Sequence, residues 1–302
     1  MNREFKIAAL YQFGELPADK LESWAHELEQ FGRSRGVIGL LLLAVEGING
    51  TVAGPNEALD AFVSQVFTTI PLAVPEIKFS KADRAPFPRL KVRVREEIVT
   101  FRAELPAPDI NDDSHLSPAE WQGLLESEEN LVLLDTRNYY ETELGMFEGA
   151  LDPKIDSFTD LSDFLDRAAI PKEQKVLMYC TGGIRCEKAA LEMKRRGYEE
   201  VFQLQGGILN YLAHYPNGKF NGECFVFDHR VAVDGDLEPS RRYHLCPHCG
   251  DPGDRIETCP NCGGISKVCA ECVERDPVLA TCSKNCAYHA RLARDREVSS
   301  PK

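Results

Sequence analysis

At 302 residues the chain is longer than one typical core, so two or three domains are expected. Its 43% hydrophobic content is ordinary for a globular protein, and no apolar run approaches the roughly 20 residues that span a bilayer, which argues against a membrane protein. A formal charge of −13 discourages non-specific nucleic-acid binding, although it leaves room for a local basic face. The start, Met1-Asn-Arg-Glu-Phe-Lys-Ile7, lacks the apolar core and cleavage site of a signal peptide, so a cytoplasmic location is expected. In a reducing compartment the 11 cysteines then point to metal binding or catalysis rather than disulfides.

Residues 5–13 read as a strand, and Pro17 stands near the start of an amphipathic helix with Leu21, Trp24, Leu28 and Phe31 at helical spacing. Val37 to Val45 is a second strand, Gly47-Ile-Asn-Gly50 a turn, and Thr51-Val-Ala53 a third strand. Pro55 opens a helix carrying Leu59, Phe62, Val63 and Val66; Ile77 to Ser80 and Leu90 to Phe101 read as further strands. The order β-α-β-β-α-β is that of a ferredoxin-like α+β unit with an additional strand, a fold that names no function by itself. Within it, residues 81–95 carry six Lys or Arg against one Asp. Arg89, Lys91, Arg93 and Arg95 fall at spacing two and so share one sheet face. Such a row is either a solvated face or a phosphate-binding one, since adjacent like charges repel unless an anion compensates them.

Residues 103–116 are proline-rich and polar, as in a linker. Ser117-Pro-Ala-Glu120 is a capping-box pattern with Pro at the first helical position. Leu131 to Leu134 is a buried strand ending at Asp135-Thr-Arg137, followed by a helix over 160–169, a strand over 176–179, a helix over 186–196 stopped by Gly197, and a strand over 201–204. Gly206-Gly207 and a helix through Tyr211 complete a small, mostly parallel α/β sheet. Phe220 to Val233 reads as a strand pair after it.

The central motif is Val176-Leu-Met-Tyr-Cys180-Thr-Gly-Gly-Ile-Arg185-Cys186-Glu-Lys188. A buried strand delivers Cys180 into a glycine-containing loop beside a helix N-terminus, where unpaired N–H groups and the helix dipole favour a thiolate. Thr181, Gly182, Gly183 and Ile184 form the loop; its glycines let several amides face the sulfur or a bound anion, and Arg185 adds a permanent charge. The bland reading, an inert buried Cys, is the commoner one for a lone Cys, but here Cys, two glycines and Arg coincide at a strand's carboxyl end, where such sheets place their sites. Cys186 is expected to support Cys180 or to resolve its oxidised form.

The remaining cysteines run Cys246-x2-Cys249-x9-Cys259-x2-Cys262-x6-Cys269-x2-Cys272-x9-Cys282-x3-Cys286. Eight thiolates beside Gly and Pro turns suit two tetrahedral structural zinc ions with no open position, paired either sequentially or interleaved. With little apolar content the segment is expected to use metal as its core.

The loop Cys180-x-x-Gly183-x-Arg185 resembles the active-site loop of the rhodanese superfamily. Asp135-x-Arg137, Glu148-Gly-Ala150 and Leu204-x-Gly-Gly207 also occur in rhodanese order, with Asp135 and Arg137 expected to brace the loop by ion pairing. Together with Glu46-Gly-Ile-Asn-Gly-Thr51, the Pro86 to Arg95 strand, Gly222-Glu-Cys-Phe-Val-Phe-Asp228 and the Cys-rich tail, these stretches make the whole chain similar to the rhodanese-domain tRNA uridine hydroxylases. That resemblance implies an acylphosphatase-like, ferredoxin-like domain over 1–112, a rhodanese α/β domain over 113–216, and a strand pair with a zinc-binding region over 217–302. It implies oxygen-dependent formation of 5-hydroxyuridine at wobble position 34 of tRNA, with O2 as co-substrate and Cys180 and Arg185 as catalytic residues. For RNA binding the candidates are Arg89, Lys91, Arg93 and Arg95, with Lys194, Arg195 and Arg196 as a second cluster expected near the site. The loop motif alone fits two other readings: a sulfurtransferase carrying a persulfide on Cys180, and a binding module with a vestigial loop.

Overall fold

The computed structural model describes residues 4–75, 77–109, 112–127 and 130–299; Met1 to Arg3, and Ile110 and Asn111 of the expected linker, lie outside them. The chain divides into two compact units, Met1–Asp228 with Val233–Glu238, and His229–Ala232 with Pro239–Lys302.

The first unit begins with β1 (Phe5–Phe13), α1 (Ala18–Ser34), β2 (Ile38–Ala44), β3 (Gly47–Gly54), α2 (Asn56–Thr69), β4 (Lys78–Ala82) and β5 (Leu90–Val94). The strands form one sheet in the order β4-β1-β3-β2-β5, the ferredoxin-like arrangement with β5 added parallel to β2. Leu21 and Leu28 of α1 and Leu59, Phe62 and Val66 of α2 bury their apolar stripes on Leu41, Leu43, Ile48 and Val52 of the sheet. Two expectations are corrected. Gly47 to Gly50 is strand, not turn: Ala44 pairs with Gly47, so the hairpin turn is Val45-Glu46. The strand from Leu90 ends at Val94, because the Glu97 carboxylate accepts the Phe101 and Arg102 N–H groups (3.0 and 3.2 Å) and bends the chain.

β5 is an edge strand whose open backbone groups meet α1. Glu29 accepts the Val92 N–H (2.7 Å) and Arg33 donates to the Leu90 carbonyl (3.2 Å), which blunts the edge against further strand pairing.

The unit continues with β6 (His115–Leu116), α3 (Pro118–Glu126), β7 (Leu131–Asp135), α4 (Tyr139–Thr142), β8 (Gly145–Phe147), α5 (Leu161–Arg167), β9 (Lys175–Tyr179), α6 (Ile184–Arg195), β10 (Val201–Leu204), α7 (Gly207–His214) and β11 (Phe220–Gly222). Strands β6-β10-β9-β7 form a wholly parallel sheet. The period of two along β9 sends Val176 and Met178 to the face covered by α5 and α6, and Leu177 and Tyr179 to the face covered by α3 and α7. The Ser117 capping box forms, with Glu120 at the third position.

The end of the expected linker is structured, since His115 and Leu116 add to β10; just before the linker, the Phe101 ring packs tilted against Phe158 with centroids 4.8 Å apart. Within the expected strand pair over Phe220 to Val233, Cys224–Phe225 pairs with Ala232–Val233, while the opening strand β11 instead pairs with β8, Phe220 opposite Phe147.

In the second unit, two antiparallel ladders, His244–Leu245 with Pro252–Gly253 and Arg255–Thr258 with Ile265–Val268, precede α8 (Ala270–Arg275) and α9 (Lys284–Ser299). Among the described residues its apolar core is Val268, Val273, Leu279 and Ala287 around Cys246, Cys269 and Cys272, with partly buried Val278 and Ala280 packed against it.

Candidate active site and metal centres

β9 ends at Tyr179 and hands Cys180 to the loop at its carboxyl end. Helix α6 begins at Ile184, two residues earlier than its sequence pattern suggests, so Arg185 and Cys186 lie in its first turn and Gly183 is the N-cap. Gly183 takes φ +102°, a conformation that side chains disfavour, and this turns its N–H onto the Cys180 sulfur at 3.1 Å. Gly207 is needed for a different reason. A Cβ there would stand 2.5 Å from the Cys180 carbonyl oxygen and 2.7 Å from the Gly183 nitrogen. With that room left open, Ile208 and Leu209 at the start of α7 donate to the Cys180 and Thr181 carbonyls (2.9 and 3.1 Å). The Leu204-x-Gly-Gly207 motif is thus the floor of the loop.

Cys180 is fully buried. Burial by itself would push its thiol up, but the Cys186 S–H, the Arg185 charge and the Arg185 and Gly183 backbone N–H groups outweigh it and hold the thiol well below the ordinary range. Cys186 moves the opposite way, raised by burial and by the adjacent Cys180 sulfur, while its own sulfur lies 3.7 Å from the Thr136 hydroxyl. Of the two sulfurs Cys180 is therefore the more acidic, and Cys186 is the one that holds its proton. The third cysteine of this unit, Cys224, is pushed up to about 12 by burial.

Arg185 does not point its fork at an open anion site. Its guanidinium grips Glu141 of α4 from both ends, with Nη2 to Oε2 at 2.7 Å, and Glu141 is completely buried. Burial would raise the Glu141 carboxyl, but the charges of Arg185 and then Arg137 hold it low. Thr181 also donates to Glu141 (3.2 Å), and Glu141 accepts the Asn138 N–H (3.2 Å). Asp135 and Arg137 form a second buried pair, Arg137 Nη2 to Oδ2 at 2.7 Å, with Arg137 also donating to the Gly145 carbonyl. It braces the turn after β7; the clamp on the loop itself is Glu141, which sequence reasoning missed. Its signal was the pattern Asn138-x-x-Glu141, a helix-start signature.

The ferredoxin-like half reaches the same loop. The Tyr11 hydroxyl donates to Glu187 (2.8 Å) and would touch any Cβ at Gly183 (2.9 Å). Glu187 also accepts from His115 (3.1 Å) and Gln203 (3.3 Å). Lys188 donates to Glu46 (2.9 Å), Glu97 (2.6 Å) and the Val99 carbonyl (2.9 Å). Glu46, first residue of the Glu46 to Thr51 stretch, additionally accepts the Ile98 N–H (2.7 Å). Residues Glu187-Lys188, quoted in the loop motif without a role, are fasteners between the two halves.

The basic candidates fare unevenly. Arg89 and Arg95 are exposed and Lys91 half-buried, but Arg93 is paired with Glu29 (3.1 Å), so the anion that compensates it is internal. Lys194, Arg195 and Arg196 are not near the thiol: they lie at the other end of α6, about 16 Å along its axis at 1.5 Å per residue. Each is paired, Lys194 with Asp112 (2.9 Å), Arg195 with Glu192 (2.8 Å), and Arg196 with Glu192 (2.7 Å) and Asp166.

In the second unit the cysteines gather as two sets, Cys246, Cys249, Cys269 and Cys272, and Cys259, Cys262, Cys282 and Cys286, with all four sulfurs of a set within 4.8 Å of one another. The pairing is interleaved: first knuckle with third, second with fourth. Sulfur separations of 3.5 Å (Cys249 to Cys269, and Cys262 to Cys282) approach the roughly 3.8 Å edge of a tetrahedron with 2.3 Å metal–sulfur bonds. Gly250 and Gly263, at φ +96° and +73°, close the first two knuckles. Both sets can hold a metal ion.

Comparison with known proteins agrees with this division. Residues 5–98 match the family model for the UPF0176 acylphosphatase-like domain, 117–214 that for the rhodanese-like domain, and 221–287 that for the rhodanase C-terminal region. A solved rhodanese-like domain from Anabaena sp. is 23% identical, with a TM-score of 0.32, covering 37% of this chain and 80% of its own. The tRNA uridine(34) hydroxylase of Bdellovibrio bacteriovorus is 43% identical over 290 residues, 94% of this chain and 81% of its own. That of Teredinibacter turnerae is 45% identical over 252 residues, 82% of this chain and 77% of its own. Similarity of this degree across both halves and the Cys-rich tail establishes that the chain belongs to the tRNA uridine(34) hydroxylase family.

Proposed function

We propose that this protein is an oxidoreductase that hydroxylates C5 of the wobble uridine of tRNA, with O2 as co-substrate and Cys180 as the catalytic thiolate. The observation that carries the reading is a buried sulfur that accepts the Gly183 N–H at 3.1 Å and is shifted toward its thiolate by Cys186 and Arg185, within a chain of this family. A thiolate adding to C6 of uracil moves the C5=C6 electron pair onto C5, which makes C5 nucleophilic enough to bond to one oxygen atom of O2. An external two-electron donor reduces the second oxygen atom to water. Loss of the C5 proton with departure of the thiolate then restores the ring. Arg185 acts through position: locked on Glu141, it keeps its backbone N–H and its charge beside the sulfur.

The two four-cysteine sets are read as structural zinc sites, because thiolates alone in a closed tetrahedron leave no position for substrate. Exposed Arg89 and Arg95, with Lys91, are the proposed phosphate contacts, in a soluble cytoplasmic enzyme with domains over 1–112, 113–216 and 217–302. The test is mass spectrometry of tRNA nucleosides from a deletion strain complemented with wild type or Cys180→Ala. Loss of 5-hydroxyuridine in the mutant, with thiolated nucleosides intact, is expected; loss of thiolated nucleosides instead would assign the protein to sulfur transfer.

A further inference from the structure

The stretch Gly222-Glu-Cys-Phe-Val-Phe-Asp228 has so far no function, and its last aromatic is unusual. Phe227 is 57% exposed, whereas Phe225 and Val226 before it are buried. A single exposed apolar residue needs no explanation by itself. Here two further observations apply. The Phe227 ring lies beside the loop, 5.8 Å from the Arg185 guanidinium carbon, and Arg185 is a residue that shapes the Cys180 thiolate. The ring is also propped: Phe225 meets it at 85° with centroids 5.0 Å apart, and Tyr140 meets Phe225 at 74° and 5.3 Å. Tyr140 belongs to α4, the helix that supplies Glu141 to Arg185, so one short element fixes both the loop and the row of rings. An exposed apolar ring held at a set angle, with the delocalised Arg185 cation next to it, has the chemistry of a stacking surface for a planar, electron-poor heterocycle.

We infer that Phe227 is a binding residue, the platform on which a pyrimidine base of single-stranded RNA stacks as it is brought to the Cys180 loop. The inference rests on the reading of the protein as an RNA-modifying enzyme and adds to it the residue that receives the base. Phe225 and Tyr140 are positioning residues that keep the platform upright.

The experiment uses the full chain carrying Cys180→Ala, which removes the reacting sulfur, and an RNA stem-loop with an unpaired uridine in its loop as probe. Phe227→Ala and Phe227→Leu are each expected to raise the Kd for this RNA about tenfold, the scale of one lost base–aromatic stack, while Phe227→Tyr stays near the parent. Phe227→Trp supplies an independent signal, quenching of its fluorescence by the RNA. Melting temperatures of all four variants within about 2 °C of the parent are expected, because the ring is mostly outside the core. Unchanged affinity in Phe227→Ala, or parental affinity in Phe227→Leu, would overturn the platform, the latter because it shows that bulk and not aromaticity is used. Weakened binding, together with an absence of 5-hydroxyuridine from the deletion strain complemented with wild type, would keep the platform and remove the hydroxylase reading, so the two fail separately.

Discussion

The Tyr11 hydroxyl donates to Glu187 across 2.8 Å, joining the first strand of the ferredoxin-like half to the helix that carries the reactive loop. One residue on, Lys188 binds Glu46 and Glu97 and is itself buried. Consecutive side chains of α6 thus hold the two halves together immediately after the loop.

Lys188→Met should therefore cost about 3 kcal/mol of stability, since it leaves two carboxylates facing each other without their cation. Tyr11→Phe should cost only about 1 kcal/mol, as Glu187 keeps His115 and Gln203. Denaturant titration of the two variants measures both; equal costs would show that the fastening does not depend on charge.

Glu141→Gln keeps the shape of the loop clamp but removes the charge that neutralises buried Arg185. A loss of about 3 kcal/mol is expected, with hydroxylation falling more than tRNA binding because the loop loosens around the sulfur. Chemical denaturation and single-turnover assays separate the two effects, and parental turnover in this variant would remove Glu141 from the account.

His115 is pushed up to about 9: burial alone would lower it, but the hydrogen bond and charge of Glu187 and then Asp112 outweigh burial. Its folded value exceeds the unfolded value of about 6.5, so its stabilising contribution is complete below pH 6.5 and is lost as pH rises towards 9. Stability of the wild type should decline across that window, and His115→Gln should flatten the decline. Parallel curves for the two proteins would place the titration elsewhere.

For the Cys180 sulfur the shift is downward, so the acid limb of the hydroxylation rate should fall well below the roughly 8.5 of a free thiol. Gly183→Ala, which strains the turn that aims an N–H at the sulfur, should move that limb upward. Single-turnover rates against pH measure it, and an acid limb at 8.5 in the wild type would contradict the thiolate.

Elemental analysis should return about two zinc ions per chain. A strong chelator should remove hydrogen-exchange protection from residues 244–287, where metal stands in for a core, while the parallel sheet of the rhodanese domain stays protected. Full protection after complete metal loss would show that the segment folds on its own apolar residues.

Elements with strong periodicity or end signals were legible in the sequence: α1 from its apolar stripe, α3 from Ser117-Pro-Ala-Glu120, the buried strands β7 and β9, and the Cys180 loop from its Cys, Gly and Arg spacing. What was not legible depends on distant partners. Gly47 to Gly50 looks like a turn because glycines usually punctuate, yet a Cβ at Gly47 would stand 2.1 Å from the Gln12 carbonyl oxygen, so glycine is there for the close approach of β1. Likewise Arg185 reads as a free cation until Glu141, 44 residues earlier, is seen to hold it. The basic run at Lys194 to Arg196 carries no mark of the carboxylates that neutralise it.

The interleaving of the two cysteine sets also has a consequence for how the chain is made. Synthesis delivers ligands in order, and the first set is incomplete until Cys272 has been added. By then Cys259 and Cys262 of the other set have already emerged and, together with Cys246 and Cys249, offer a complete but wrong tetrahedron. An ion captured early by that combination must change half of its ligands before the native pairing can form. If both sets bind metal as proposed, abundant free metal in the nascent stage should slow the maturation of this region rather than speed it.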